Sequence, residues 1–135
     1  MMIIRKAIKK DLKGCLNLEK LDKGKYWKSI DFELAINNKL AIFLIAEEDK
    51  KIIGYIIGFF VPTKKTEVMI HETRVNKNLR HKKTGTKLVR EFCKFAFANG
   101  SKEIYAEIDE KLKKFYINSC KFKKSRSWIE VKKIK

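Results

Sequence analysis

His71 and Glu72 stand side by side in a stretch of alternating character, Glu67 to Val75, and the chemistry they suggest is proton removal. Free imidazole titrates at about 6.5, so histidine as a residue type is largely neutral at physiological pH and suited to a general base. Glu107, in IYAEID, is a second carboxylate able to take a proton, and Tyr116, in FYINSCKF, is a phenol able to give one. Directly after Val75 the residue types change. Arg80, His81, Lys82 and Lys83 precede a small corner of Thr84, Gly85 and Thr86, and Lys87 leads into a helical pattern of Leu88, Val89, Phe92, Cys93 and Ala96. A strand that turns into a helix there offers free backbone N–H groups and the positive end of a helix dipole beside several cations. Such a corner suits a phosphate-bearing ligand. Cys15, Cys93 and Cys120 are odd in number and widely spaced, with no CxxC. They predict neither a disulfide framework nor a zinc site. Nothing in the sequence places a base beside Cys120, so it is not read as a nucleophile.

These groups need elements to hold them. Strand alternation puts His71 on one face with Met69 and Thr73 and puts Glu72 on the other, and a bulge would exchange the two. Upstream, Ile3, Ile4 and Ala7 predict a short opening strand. Asp11 is a cap for a helix in which Leu12, Cys15, Leu16 and Leu18 or Glu19 recur at helical spacing. A loop with Gly24, Tyr26 and Trp27 leads to a second helix, Phe32 to Asn37, with Ser29 or Asp31 as its cap. Leu40 to Ala46 and Ile52 to Val61 are apolar runs around the charged turn EEDKK and predict a hairpin buried on both faces. Gly54 and Gly58 mark bulges or close packing, and Pro62 stops the second strand. The long helix after the corner ends at Asn99-Gly100. Lys102 to Ile108 predicts a strand, Leu112, Phe115, Tyr116 and Ser119 a short helix, and Phe122 to Ile134 one or two closing strands. The order is βααβββαβαβ with one further strand allowed: an α/β (α+β) fold with a mixed, mostly antiparallel sheet and helices on both faces.

The 135 residues suffice for one domain spanning 1–135. No apolar run reaches the ~20 residues that cross a bilayer, and the N-terminus lacks a signal-peptide pattern, since Arg5, Lys6, Lys9 and Lys10 follow only a brief apolar start. A reduced, cytoplasmic setting without membrane contact is the expectation. The net charge of +17 favours polyanionic partners, either nucleic acid or an acidic protein. Only 5 of the 33 basic residues are Arg, the type preferred for bidentate phosphate and base contacts, which fits a general lysine preference as well.

From Val75 to Val89 the chain resembles the acyl-CoA-binding signature of the GNAT superfamily of N-acyltransferases. There a strand ending in Val is followed five residues on by Q/R-x-x-G-x-G/A. Val75 and Arg80 have that spacing, Gly85 and Thr86 continue it, and Lys83 stands at the family's first Gly. The opening MIIRKAIKKDLKGCLNLE is similar to the family's first strand and helix, and the element order matches end to end. The resemblance implies a GNAT-like fold and an acetyl-CoA-dependent N-acetyltransferase that acts by direct attack of a primary amine, with acetyl-CoA as co-substrate and no metal. It implies that the backbones of Thr73, Arg74 and Val75 pair with the pantetheine arm, one amide polarising the carbonyl. The N–H groups of residues 82–86, with the Arg80 side chain and its neighbours His81, Lys82 and Lys83, would hold the pyrophosphate.

The family's base lies four residues before the signature Val, where this chain has His71, with Glu72 in reserve. Glu107 is a rival, since IYAEID is similar to the L-x-x-E-V strand of ribosomal-protein N-terminal acetyltransferases. The proton donor in the family is a Tyr in Y-E-K-x-G-F. Tyr116 is the candidate, six residues before Phe122 rather than five, with Lys121 at the Gly position and without the family's N-x-x-A. Tyr26, Trp27 and Phe32 fall where the family builds its acceptor pocket. The acceptor itself is open among protein N-termini, lysines and small amines, though few acidic residues near that region argue against a polyamine. The chain is expected to be a monomer or homodimer. The alternative function is a catalytically idle domain of this fold that binds nucleic acid or an acidic partner.

Overall fold

The two apolar runs in the middle of the chain form β2 (Ala41–Glu48) and β3 (Lys51–Val61), a hairpin closed by Asp49 and Lys50. Both turn residues have positive φ, 51° and 63°, the backbone of a two-residue turn whose twist matches its strands. β1 (Met2–Lys6) pairs with the outer side of β2, and β4 (Lys64–Val75) with β3, all antiparallel. β5 (Glu103–Ala106) joins β4 in parallel, giving the order β1-β2-β3-β4-β5. This computed structural model describes residues 1–21, 27–127 and 129–135, and side chains for all of these save 80–82.

Period-two alternation in β2 and β3 sends apolar side chains to both faces, so the sheet is covered twice. On one face Ile42, Leu44, Ile56, Val68 and Ile70 pack against Leu88, Val89, Phe92 and Ala96 of α3 (Thr84–Ala98). On the other, Phe43, Ile45, Tyr55 and Ile57 pack against Cys15 and Leu18 of α1 (Leu12–Leu21) and Phe32 and Ala35 of α2 (Ser29–Asn37). The expected mixed, mostly antiparallel sheet with helices on both faces is therefore present. Gly58 is where the first layer closes most tightly. A Cβ there would overlap the Phe92 ring and lie 2.6 Å from the Met69 carbonyl oxygen.

Several expectations are refined. Asp11 does not cap α1 from in front. It lies at the end of a 3-10 turn, Lys9–Asp11, and its carboxylate reaches back to the Ile8 N–H at 2.8 Å while pairing with Arg5, also at 2.8 Å. Asp31 does the same for α2, accepting from the Lys28 N–H at 2.7 Å. These are the reach-back halves of capping boxes. β4 starts at Lys64, three residues before Glu67, because Pro62 and Thr63 alone make the turn from β3. The closing strand expected over Phe122 to Ile134 is not formed: residues 121–127 and 129–135 carry no regular structure. Ile129 and Val131 alternate as a strand would but are 85% and 82% exposed. Alternation says which face a strand would bury, not that a partner exists. With seven basic residues against one Glu after position 120, mutual repulsion opposes closure.

Candidate active site

Between β3 and β4 the register slips by one. Ile57 faces Glu72 and Gly58 faces Ile70, which leaves His71 as an extra, bulged residue. The bulge reverses the alternation from that point. Met69 and His71 share the α1/α2 face as expected, but Thr73 lies on the α3 face, where its hydroxyl meets the Tyr116 hydroxyl at 3.2 Å. Glu72 joins His71 on the α1/α2 face instead of opposing it, since it lies opposite Ile57 and pairs with Arg74 at 3.4 Å. The imidazole stands exposed between two aromatic rings, Trp27 at 5.8 Å and Phe59 at 6.0 Å, both edge-on.

β5 stops short. Its ladder with β4 runs from Glu67–Glu103 to Ile70–Ala106 and ends there, so the β5-facing side of residues 71–75 has no strand partner among the described residues. Beside this gap Tyr116 is buried, and burial pushes its phenol pKa up, with the Thr73 hydrogen bond opposing in part. Tyr116 sits in a π turn, Lys114–Ser119, in which the Cys120 N–H reaches back five residues to Phe115. The turn closes with the Phe122 N–H on the Tyr116 carbonyl at 2.9 Å, and Lys121 between them has φ 64°. The π turn absorbs the extra residue that makes the Tyr-to-Phe spacing six. Lys121 supplies the left-handed backbone for which glycine is the usual residue.

The corner is tighter than a plain loop. Val75 and Asn76 lead to a 3-10 turn, Lys77–Lys82, and then Lys83, at φ 58°, sets the start of α3. Lys83 is exposed, and its side chain makes no capping hydrogen bond to the helix. The N–H groups of the first turn, which lack intrahelical acceptors, remain for a ligand. The Thr84 hydroxyl is wholly buried there without a hydrogen-bond partner. A Cβ on Gly85 would sit 3.3 Å from the Phe115 ring, so glycine lets the aromatic close on the helix start. The uncapped amides, the exposed lysine and the open side of β4 are what a CoA diphosphate and its pantetheine arm require. The residues present fit that group.

His71 and Tyr116 thus flank β4 from opposite faces rather than meeting. Glu107 is exposed, one residue beyond β5. Tyr26 and Gly24 lie outside the described residues, as do the side chains of Arg80, His81 and Lys82. Trp27 and Phe32 do pack together, at 5.2 Å, but Phe32 is core while Trp27 borders a surface cavity of about 360 Å³. Asp31, Leu34, Phe59 and His71 border it too; the sequence offers Asp31 only as a helix cap and does not single out Leu34 or Phe59.

A second group unforeseen in its role is Glu19. Its buried carboxylate accepts from the Tyr55 hydroxyl and, at 3.2 Å, from Arg74 Nε, while its Oε2 is unpartnered. The signal was a carboxylate on the apolar stripe of α1. Burial, then Glu19, drive the Tyr55 phenol pKa far upward.

The family model described as Acetyltransferase (GNAT) family matches residues 7–122. The chain belongs to the GNAT acetyltransferase family. No curated protein matches it in sequence. Among solved structures, the fold of this GNAT protein is similar to that of aminoglycoside N-acetyltransferase AAC(6')-Iy in complex with a bisubstrate analogue, with TM-score 0.82, 16% identity and 99% of each chain covered. A transcriptional regulator from Bacillus halodurans C-125 aligns with TM-score 0.81 and 18% identity over 98% of this chain and 99% of that one. Glucosamine-6-phosphate N-acetyltransferase from Arabidopsis thaliana gives 0.73 and 19% over 99% and 98%. At these identities the likeness is one of fold. Among the described residues no helix is long and apolar enough to cross a membrane, and no cluster of three metal-ligating side chains occurs.

Proposed function

We propose that this GNAT-family protein transfers an acetyl group from acetyl-CoA to a primary amine by direct attack. The observation that carries the proposal is the opening beside residues 71–75, where β5 ends at Ala106 next to the uncapped start of α3. Acetyl-CoA supplies, when bound, an acetyl carbonyl activated by its thioester. The first-turn amides of α3 and Lys83 hold the diphosphate, and the backbone of Thr73 to Val75 orients the arm and polarises the carbonyl. His71 takes one proton from the incoming ammonium, whose ordinary pKa of about 10.4 otherwise keeps it protonated. The C–N bond forms as the C–S bond breaks, and Tyr116 gives its proton to the departing sulfur. A second amine proton is released as the amide forms, which balances the one Tyr116 gives up. A phenol is protonated at neutral pH, as a donor must be, and burial pushes the Tyr116 pKa further up. Glu72, on the same face as His71 and paired with Arg74, supports the ammonium electrostatically; Glu107, exposed beyond β5, is the rival base.

Calorimetric titration with acetyl-CoA tests the proposal directly. Binding in the micromolar range is expected, and no heat at millimolar ligand ends it. The idle-domain alternative rested on the net charge and on lysines at two glycine positions. Since Lys83 and Lys121 both keep the left-handed backbone, the second of these grounds loses its weight.

A further inference from the structure

Resting on that reading, we infer that the acceptor is a small monoamine with a flat apolar or aromatic body, and not a polycation. The cavity beside His71 holds about 360 Å³, near the lower end for small-molecule sites. Its walls include Trp27, Phe59, Leu34 and Ala35, with Asn38 and Asp31 at one side and the His71 imidazole edge-on to both rings at 5.8 and 6.0 Å. An aromatic body fits among such rings in the offset or edge-to-face arrangements that aromatic groups prefer. Leu34, which lines the cavity, is 64% exposed, and Ile30, one turn before it on α2, is 57% exposed. Exposed apolar side chains gathered at a cleft mark a contact for an apolar ligand.

Charge argues in the same direction. Among the described residues Asp31 is the one carboxylate that lines the cavity, and one of its oxygens already accepts from the Lys28 N–H. A polyamine or aminoglycoside would bring several ammonium groups to a protein of net charge +17, where Asp31 accepts from a backbone N–H and Glu72 is paired with Arg74. A monoamine that loses its proton to His71 reacts as a neutral molecule and avoids this repulsion. The cavity is thus selective against the polycationic acceptors named for some proteins of the same fold.

The test is thiol release from acetyl-CoA with 2-phenylethylamine, tryptamine, ethylamine, spermidine, kanamycin and a Met-initiated tetrapeptide as acceptors. The aromatic amines should exceed ethylamine, spermidine and kanamycin in kcat/KM by roughly 10- to 100-fold, the range that apolar pocket contacts supply. Phe59→Leu should raise KM for the aromatic amines severalfold while leaving KM for acetyl-CoA unchanged. Leu34→Asp, at an exposed position that folding does not depend on, should narrow the gap to spermidine at least fivefold. A preference for spermidine, kanamycin or the peptide in the unaltered protein overturns the inference. So does a ranking indifferent to the ring. Acetyl-CoA binding in calorimetry with no turnover of any aromatic amine overturns the acceptor class alone, whereas absence of acetyl-CoA binding overturns the underlying reading and the inference with it.

Discussion

Lys121→Gly should stabilise this protein, although replacing a lysine by glycine ordinarily does the opposite. Lys121 has φ 64°, a left-handed conformation in which an L side chain presses on its own carbonyl. That conformation costs a non-glycine residue about 1–2 kcal/mol. Glycine removes the cost but brings greater freedom in the unfolded chain, worth roughly 0.5–1 kcal/mol against folding. The side chain itself is exposed, so little packing is lost. The net expectation is a gain of about 0.5–1 kcal/mol, which for a chain of this length raises Tm by roughly 2–5 °C. Urea melts of Lys121→Gly and Lys121→Ala, with Lys94→Gly as a contrast, measure it. Lys94 is an exposed lysine inside α3, where glycine should cost about 0.5–1 kcal/mol through helix propensity. The two glycine variants therefore shift the midpoint in opposite directions. If Lys121→Gly falls alongside Lys94→Gly, the left-handed turn after Tyr116 is not a feature of the folded protein, and the placement of the tyrosine that depends on it fails too.

His71→Ala should lower kcat by roughly 10²- to 10⁴-fold, the usual contribution of a general base, with acetyl-CoA affinity by calorimetry changed less than threefold. Tyr116→Phe should lower kcat by about tenfold or more without altering Tm by more than a degree or two, because the ring still packs on Phe115 and Phe122; stopped-flow thiol release reads it. Burial alone would raise the Asp11 pKa, but Arg5 and the Ile8 N–H outweigh it and hold it below the usual carboxylate range. Its contribution to stability is therefore present above the unfolded pKa, ~4, and lost as pH falls through the lower folded value. Asp11→Asn should cost about 1–3 kcal/mol in urea melts at pH 7, and the gap to the parent should close in acid. Gly58→Ala should cost roughly 1–3 kcal/mol through overpacking on Phe92, seen as a lower denaturation midpoint.

What the sequence conveyed and what it withheld divide along a physical line. Periodicity survives averaging, so the double-faced hairpin, the amphipathic α3 and the stop at Gly100, whose φ is 101°, were all readable from residue types. A single inserted residue does not survive it. The bulge at His71 leaves Val68 and Ile70 in phase on one side and Thr73 and Val75 in phase on the other, each segment internally regular. Nothing in either segment reports that they are out of phase with each other. The π turn holding Tyr116 is the same event in a helix: one extra residue, detectable only as a spacing of six where five was expected. Both insertions fall at groups proposed for the chemistry, and both re-aim a side chain without changing its neighbours in sequence. The first puts His71 and Glu72 together on the face proposed for the amine, while Thr73 turns to the Tyr116 hydroxyl on the other. Removing the His71 bulge by deletion would restore strict alternation and leave every residue from Glu72 onward on the face it now occupies, since Ile70 already lies opposite Gly58 and Glu72 opposite Ile57. Val75 would stay packed toward α3 and Glu72 opposite Ile57, while the imidazole would be lost from beside Trp27 and Phe59, so the bulge serves the candidate site and the core does not need it.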